Sequence, residues 1–179
     1  ETGACSLKVK FESGYKLPPG MSYAELEMFV VSGSITYGDT TYGDGYYFLI
    51  PPGVSMPEMR VKKGAVVIMF YNYGEPSFIP SDEDHPLAER FRLSIVDSMK
   101  DINWMPGNRI VPSVASGCML KPLKYDPDTE AHTFLYCMTP GFSQDNISYH
   151  DCCEESYHIW GTSWMMQFGD LPTGGYFWR

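Results

Sequence analysis

The chain has 179 residues, 44% of them hydrophobic and 20% charged, the balance of folded domains and not of a disordered polymer. A formal net charge of −9 repels a phosphate backbone, and the densest basic run, Arg60-Val61-Lys62-Lys63, reads as a solvated edge, so nucleic acid is not expected as a partner. No apolar run reaches the length that a bilayer-spanning helix needs, so no membrane partner is expected either.

In chain order, residues 7–11 (Leu-Lys-Val-Lys-Phe) alternate apolar and basic side chains, as a strand with one buried face does. A shorter strand over 14–17 stops at Pro18-Pro19-Gly20. Residues 27–31 and 34–37 form a strand pair about Gly33, 39–45 a turn, 46–50 a buried strand, and Pro51-Pro52-Gly53 a further turn. The apolar, β-branched run 66–71 closes this group. Residues 76–110 read as a linker: the acidic run Ser81-Asp82-Glu83-Asp84 is solvated, His85 has no assigned role, and Trp104-Met105-Pro106-Gly107 is a packing patch. Strands resume over 118–120, 132–138, 156–160, 164–168 and 176–179. Short strands punctuated by Gly/Pro turns predict an all-β jelly roll or small barrel.

The two halves repeat one frame. Glu27 precedes Gly33 by six residues, as Glu155 precedes Gly161. Each copy follows a Pro-Gly (Pro19-Gly20, Pro140-Gly141), and each runs on to a Gly-Asp (Gly38-Asp39, Gly169-Asp170). Each then meets a glycine turn leading into aromatics, Gly45-Tyr46-Tyr47-Phe48 and Gly175-Tyr176-Phe177-Trp178. Markers in fixed order signal a duplicated unit. The chemistry concentrates in the second copy, from His150 to Gly161, where a strand would put Glu155, Tyr157 and Ile159 on one face and Ser156, His158 and Trp160 on the other.

This order resembles the cupin superfamily, whose first motif carries two histidines and a glutamate and whose second is glycine, Pro-x-Gly, then a third histidine. Residues 45–56 fit the second motif except at its last position, which is Met56, and 121–135 look like the lead-in of two-cupin (bicupin) proteins of the ChrR-like type. The resemblance implies tandem jelly-roll barrels: a first barrel over 4–75, the linker 76–110, and a second, incomplete barrel over 111–179. It also implies a metal set of three histidines and a glutamate. The first half keeps only Glu27 of that set and should be metal-free. The second half has His150 at the family's spacing from Glu155 and Ser148 in place of the partner histidine, and the third would fall beyond Arg179. His150 and Glu155 are therefore the candidate ligands of a divalent transition metal (Zn, Mn, Fe or Ni), with Tyr157, Tyr176 and Ser148 lining a ligand pocket. His132 reads as a wall residue.

The opening Glu1-Thr2-Gly3 reads as a scar left after removal of a signal peptide, which predicts secretion. The sequon Asn146-Ile147-Ser148 then becomes a glycan site, and the five cysteines predict at least one disulfide, drawing on Cys152 or Cys153 with Cys137 or Cys118 as partner. A homo-oligomer or further polypeptide is expected to complete the second barrel along residues 176–178. The expected function is that of a secreted bicupin binding a small ligand in its second barrel, non-catalytic or weakly active. Two alternatives stand beside it: a metal-dependent oxygenase, isomerase or lyase using His150 and Glu155, and a carbohydrate-binding or structural secreted protein.

Overall fold

A computed structural model describes residues 3–110, 114–145 and 151–179. The chain forms two compact units, Glu1–Phe142 and Ser143–Arg179. Among the described residues there are eighteen strands and two single-turn 3₁₀ helices, so the protein is all-β.

The first unit begins with β1 (Cys5–Phe11), β2 (Lys16–Leu17), β3 (Gly20–Met21), β4 (Glu25–Gly33) and β5 (Ile35–Tyr37). It continues with β6 (Thr40–Tyr42), β7 (Tyr46–Ile50), β8 (Met59–Arg60), β9 (Ala65–Asn72) and β10 (Ile79–Pro80). After a 3₁₀ turn at Arg90–Arg92 come β11 (Ser94–Asp97), β12 (Met105–Pro106), β13 (Cys118–Tyr125) and β14 (His132–Met138). A five-stranded sheet runs β1-β9-β4-β7-β11 and a four-stranded one β2-β8-β5-β6, with every pairing antiparallel.

Strand alternation decides what these sheets enclose. Leu26, Met28 and Val30 of β4, Phe48 and Ile50 of β7, and Val67 and Met69 of β9 enter one core. The opposite sheet sends in Ile35, Tyr37 and Met59. Glu25, Glu27 and Phe29 alternate with the core residues of β4 and so stand on the outer face of the five-stranded sheet. The chain crosses from one sheet to the other at Gly33, where φ is +83° and a Cβ would lie 2.3 Å from the Gly64 carbonyl oxygen. Only glycine satisfies both conditions at this position.

Residues 76–110 differ from the expected linker. β10 pairs with β3, and β11 forms an edge of the five-stranded sheet against β7. The intervening loop is bonded to the barrel: the Ser55 amide donates to Asp84 at 2.8 Å, the Ser55 hydroxyl to the Ser81 carbonyl at 2.7 Å, and the His85 amide to the Gly53 carbonyl at 2.8 Å. The acidic run is therefore an acceptor for barrel donors. β12, β13 and β14 make a three-stranded sheet that also falls within the first unit.

The second unit holds β15 (Glu155–Tyr157), β16 (Ser163–Met165), β17 (Gly169–Leu171) and β18 (Tyr176–Trp178). β15 pairs with β18 and β16 with β17, so its described residues make two short ladders. The expected disulfide is corrected: Cys5, Cys118, Cys137, Cys152 and Cys153 are all free thiols. On the β13–β14 ladder Cys118 faces Met138 and Cys137 faces Met119, so neither thiol has a cysteine as its cross-strand partner. Cys152 and Cys153 are exposed.

Candidate functional site

The space between the two sheets of the first unit holds a cavity of about 250 Å³. Four thioethers line it, from Met28, Met56, Met59 and Met69, together with Leu26, Val9 and Phe11. Among the described residues, the lining residues with polar side chains are Ser22, Ser77, Tyr15, Tyr37 and Tyr71. The two serines are satisfied: their hydroxyls lie 3.2 Å apart, and they accept from the Ala24 and Tyr23 amides respectively, each at 3.0 Å. Tyr37 is different. Its hydroxyl is buried away from the cavity space with no hydrogen-bond partner among the described residues, and burial pushes the phenol up to about 12 although the nearby Arg90 guanidinium pulls it down.

Met56 occupies the last position of the second motif, and its side chain does line the lumen. Its backbone is fixed by a two-way bridge with Gly20, at 2.7 and 3.1 Å. The motif thus delivers a side chain to the cavity, but the side chain is a thioether. Glu27, the first half's match to the motif glutamate, is absent from this lining because its strand turns it to the outer face. Thioethers, phenols and hydroxyls without an imidazole or carboxylate do not make a site for Zn, Mn, Fe or Ni.

The outer face carries a second cluster. Glu25 and Glu27 are 1% and 2% exposed. Tyr47 donates to Glu27 Oε2 at 2.5 Å, and Asn72 Nδ2 donates to Glu27 Oε1 at 2.6 Å and to Glu25 Oε1 at 3.2 Å. Lys124, from β13, donates to Glu27 Oε1 at 3.2 Å and also to Glu25, while Arg92 reaches Glu25 Oε2 at 3.1 Å. The two buried carboxylates thus meet two cations, of which Arg92 also pairs with the exposed Glu89 at 3.0 Å, so their buried charge is compensated. Burial lowers the Lys124 ammonium, but the Glu27 and Glu25 carboxylates outweigh it and the net shift is upward. Burial first, and then Glu27, push the Tyr47 phenol well above its ordinary value. This arrangement ties β13 to the sheet.

In the second unit the structure brings together Glu155 and Tyr176, whose hydroxyl donates to Glu155 Oε2 at 2.8 Å. Burial and that carboxylate raise Tyr176 to about 12. Tyr157 is the ladder partner of Tyr176 and is half-buried. Asn146, Ser148 and His150 lie outside the described residues. His158 Nε2 and the Ser163 hydroxyl are 2.9 Å apart, and burial lowers the His158 pKa. Among the described residues no three His, Cys, Asp or Glu side chains converge on one point.

Sequence reasoning missed the methionine lining. It also missed the partners of Glu25 and Glu27. Two glutamates on one face of an otherwise apolar strand require buried cations nearby, and that signal stands in Glu25-Leu26-Glu27-Met28-Phe29-Val30.

Three solved structures share this architecture. A candidate dioxygenase from Nostoc punctiforme is 23% identical with a TM-score of 0.86, covering 99% of this chain and 61% of its own. A candidate glyoxylate-induced protein from Pseudomonas aeruginosa is 14% identical with a TM-score of 0.67, covering 98% of this chain and 66% of its own. A single-substitution variant of oxalate decarboxylase from Bacillus subtilis is 10% identical with a TM-score of 0.58, covering 99% and 63%. At these identities the likeness shows the fold, a cupin-like jelly roll. The chain spans 61–66% of the length of these neighbours. Across residues 1–179 it matches the family described as Domain of unknown function (DUF4437), and it belongs to that family. No curated protein matches the sequence.

Proposed function

We propose that this protein is a cupin-fold small-molecule binder whose first-unit lumen holds an uncharged, largely apolar ligand without transforming it. The observation that carries this reading is the lining of the cavity: four methionines and apolar side chains, with no imidazole or carboxylate. Methionine walls adapt to irregular ligands, and a concave, mostly apolar pocket with few polar groups is the ordinary form of a ligand site. The test is thermal denaturation with naphthalene or ethylbenzene as probes. At ten times Kd each probe should raise Tm by about 3–6 °C. Leu17→Trp, which fills the lumen from a half-buried lining position, should abolish the shift. No shift with any apolar probe overturns the reading.

A second reading is favoured by the Tyr176–Glu155 hydrogen bond, which joins two residues chosen from the sequence. In it the second unit completes a further barrel, with His150 and Glu155 holding a divalent transition metal beside Tyr157 and Ser148; bound there, the metal would polarise a ligand oxygen. β18, paired only with β15 among the described residues, would take a strand from a second copy or from further polypeptide. Elemental analysis of chelator-free protein and of His150→Ala tests this: metal lost on substitution supports it, and no metal in either sample removes it. Secretion with a glycan on Asn146 belongs to the same proposal, and a glycosidase-sensitive mass checks it.

A further inference from the structure

The lumen has a closed end and an open one, and β1 shows which is which. Its inward residues Phe11, Val9 and Leu7 face Ala65, Val67 and Met69 of β9, and all three line the cavity. Exposure rises along them, from 8% at Phe11 to 41% at Leu7. The Phe11 end is covered. Tyr15 sets its ring 4.8 Å from that of Phe11, and the turn between them is tied to Val61 by backbone bonds of 2.8 and 2.9 Å. At the Leu7 end, β4 begins with Glu25 opposite Asn72. Just before it Ser22 meets Ser77, whose neighbour Phe78 lines the cavity and is 37% exposed. β1 and β2 are edge strands of the two sheets, and among the described residues no ladder joins them along that side.

Resting on the lumen reading above, we propose that the lumen holds one straight alkyl chain end-on, its terminal methyl at Phe11 and its far end leaving past Leu7 and Phe78. The ligand class is an uncharged long-chain aliphatic compound, of which a fatty alcohol is the simplest. Length is the first reason. Three successive inward positions of one strand span about 13 Å, and a cavity of about 250 Å³ spread over that length has room for one chain and not for two abreast. The mouth is the second. Leu7 and Phe78 carry the apolar lining out to solvent, so a chain longer than the lumen stays in apolar contact as it emerges. Charge is the third. Among the described residues no Asp, Glu, Lys, Arg or His lines the cavity, so the polar end of the ligand belongs in water outside it. Unbranched thioethers adapt to such a chain along its length.

The experiment is calorimetry with 1-pentanol, 1-decanol, the branched isomer 2-propylheptan-1-ol and ethylbenzene, on the wild-type protein, Leu7→Ser and Leu17→Trp. Wild-type affinity should rise about threefold per added methylene from pentanol to decanol. The straight decanol should bind about tenfold more tightly than its branched isomer, whose second arm overfills the lumen. Leu7→Ser should weaken 1-decanol about fivefold more than 1-pentanol, and Leu17→Trp should bind none of the four. Equal affinities of the two isomers, no gain with chain length, or equal losses of both straight alcohols in Leu7→Ser overturn the chain inference and leave the lumen reading standing. Binding of ethylbenzene without any alcohol does the same. Failure of all four to bind wild type, or binding that Leu17→Trp does not diminish, overturns the lumen reading and this inference with it. Should Leu17→Trp not fold, the wild type and Leu7→Ser decide.

Discussion

The Lys124 ammonium sits 3.2 Å from Glu27 Oε1 and also hydrogen-bonds Glu25, joining β13 to a strand 97 residues earlier in the chain. All three side chains are at most 5% exposed. Removing one member of such a buried set leaves an uncompensated charge. Lys124→Met should therefore destabilise the protein by roughly 3–5 kcal/mol in urea unfolding. A loss below about 1 kcal/mol would mean that water or Arg92 compensates the two glutamates.

The same cluster fixes the alkaline limit of stability. Lys124 is raised above its ordinary 10.5, and Tyr47 above its ordinary 10.0. A group whose folded-state pKa is raised contributes stability that is complete below its unfolded pKa and lost as pH climbs through the folded value. Urea midpoints should thus be level with respect to these groups up to about pH 10 and fall beyond it. Tyr47→Phe should fall less steeply over that range. Equal slopes for the two proteins would contradict the assignment.

On the acid side, the Arg90 guanidinium holds the Asp84 carboxyl below its ordinary 3.8. That contribution is present above the unfolded pKa and fades as pH drops through the lowered value. Both side chains are partly exposed, 27% and 51%, so solvent screening limits the effect. Asp84→Asn should cost no more than about 1 kcal/mol at neutral pH, with a smaller difference from wild type below pH 3. The check is the urea midpoint of the two proteins across pH 2–5.

The thiols give a direct chemical test. Without denaturant, Cys152 and Cys153 should react with a thiol reagent first, being exposed, and buried Cys118 last. Burial also raises the Cys118 pKa, which slows it further. Unfolded protein should titrate five thiols without reductant. Fewer than five would restore the disulfide expected from the sequence.

Much of the fold was legible because strand alternation and glycine placement are local signals. Gly33 marked the crossing between sheets, and Pro51-Pro52-Gly53 marked the turn that brings Met56 to the lumen. The segment 76–110 was misread because its strand Ser94–Asp97 is short, and the acidic run beside it looks solvated in sequence. Asp84 and the Ser81 carbonyl accept from Ser55, and Arg90 donates back to the Ser55 carbonyl, contacts made across 26–35 residues and invisible to a local pattern. Glu27 was found as a motif residue, but its face was not, since alternation alone does not say which side of a strand meets the lumen. The methionine lining gave no signal, because which apolar side chains surround a cavity is known only once the two sheets are placed face to face.

The central claim is that the first-unit lumen is where a ligand binds. Methionine ε-methyl NMR during titration with ethylbenzene tests it most directly, because four of the eleven methionines line that cavity. The signals of Met28, Met56, Met59 and Met69 should shift together and saturate, while those of Met105, Met165 and Met166 stay in place. Shifts confined to the methionines outside the lumen, or none at saturating probe, would contradict the account.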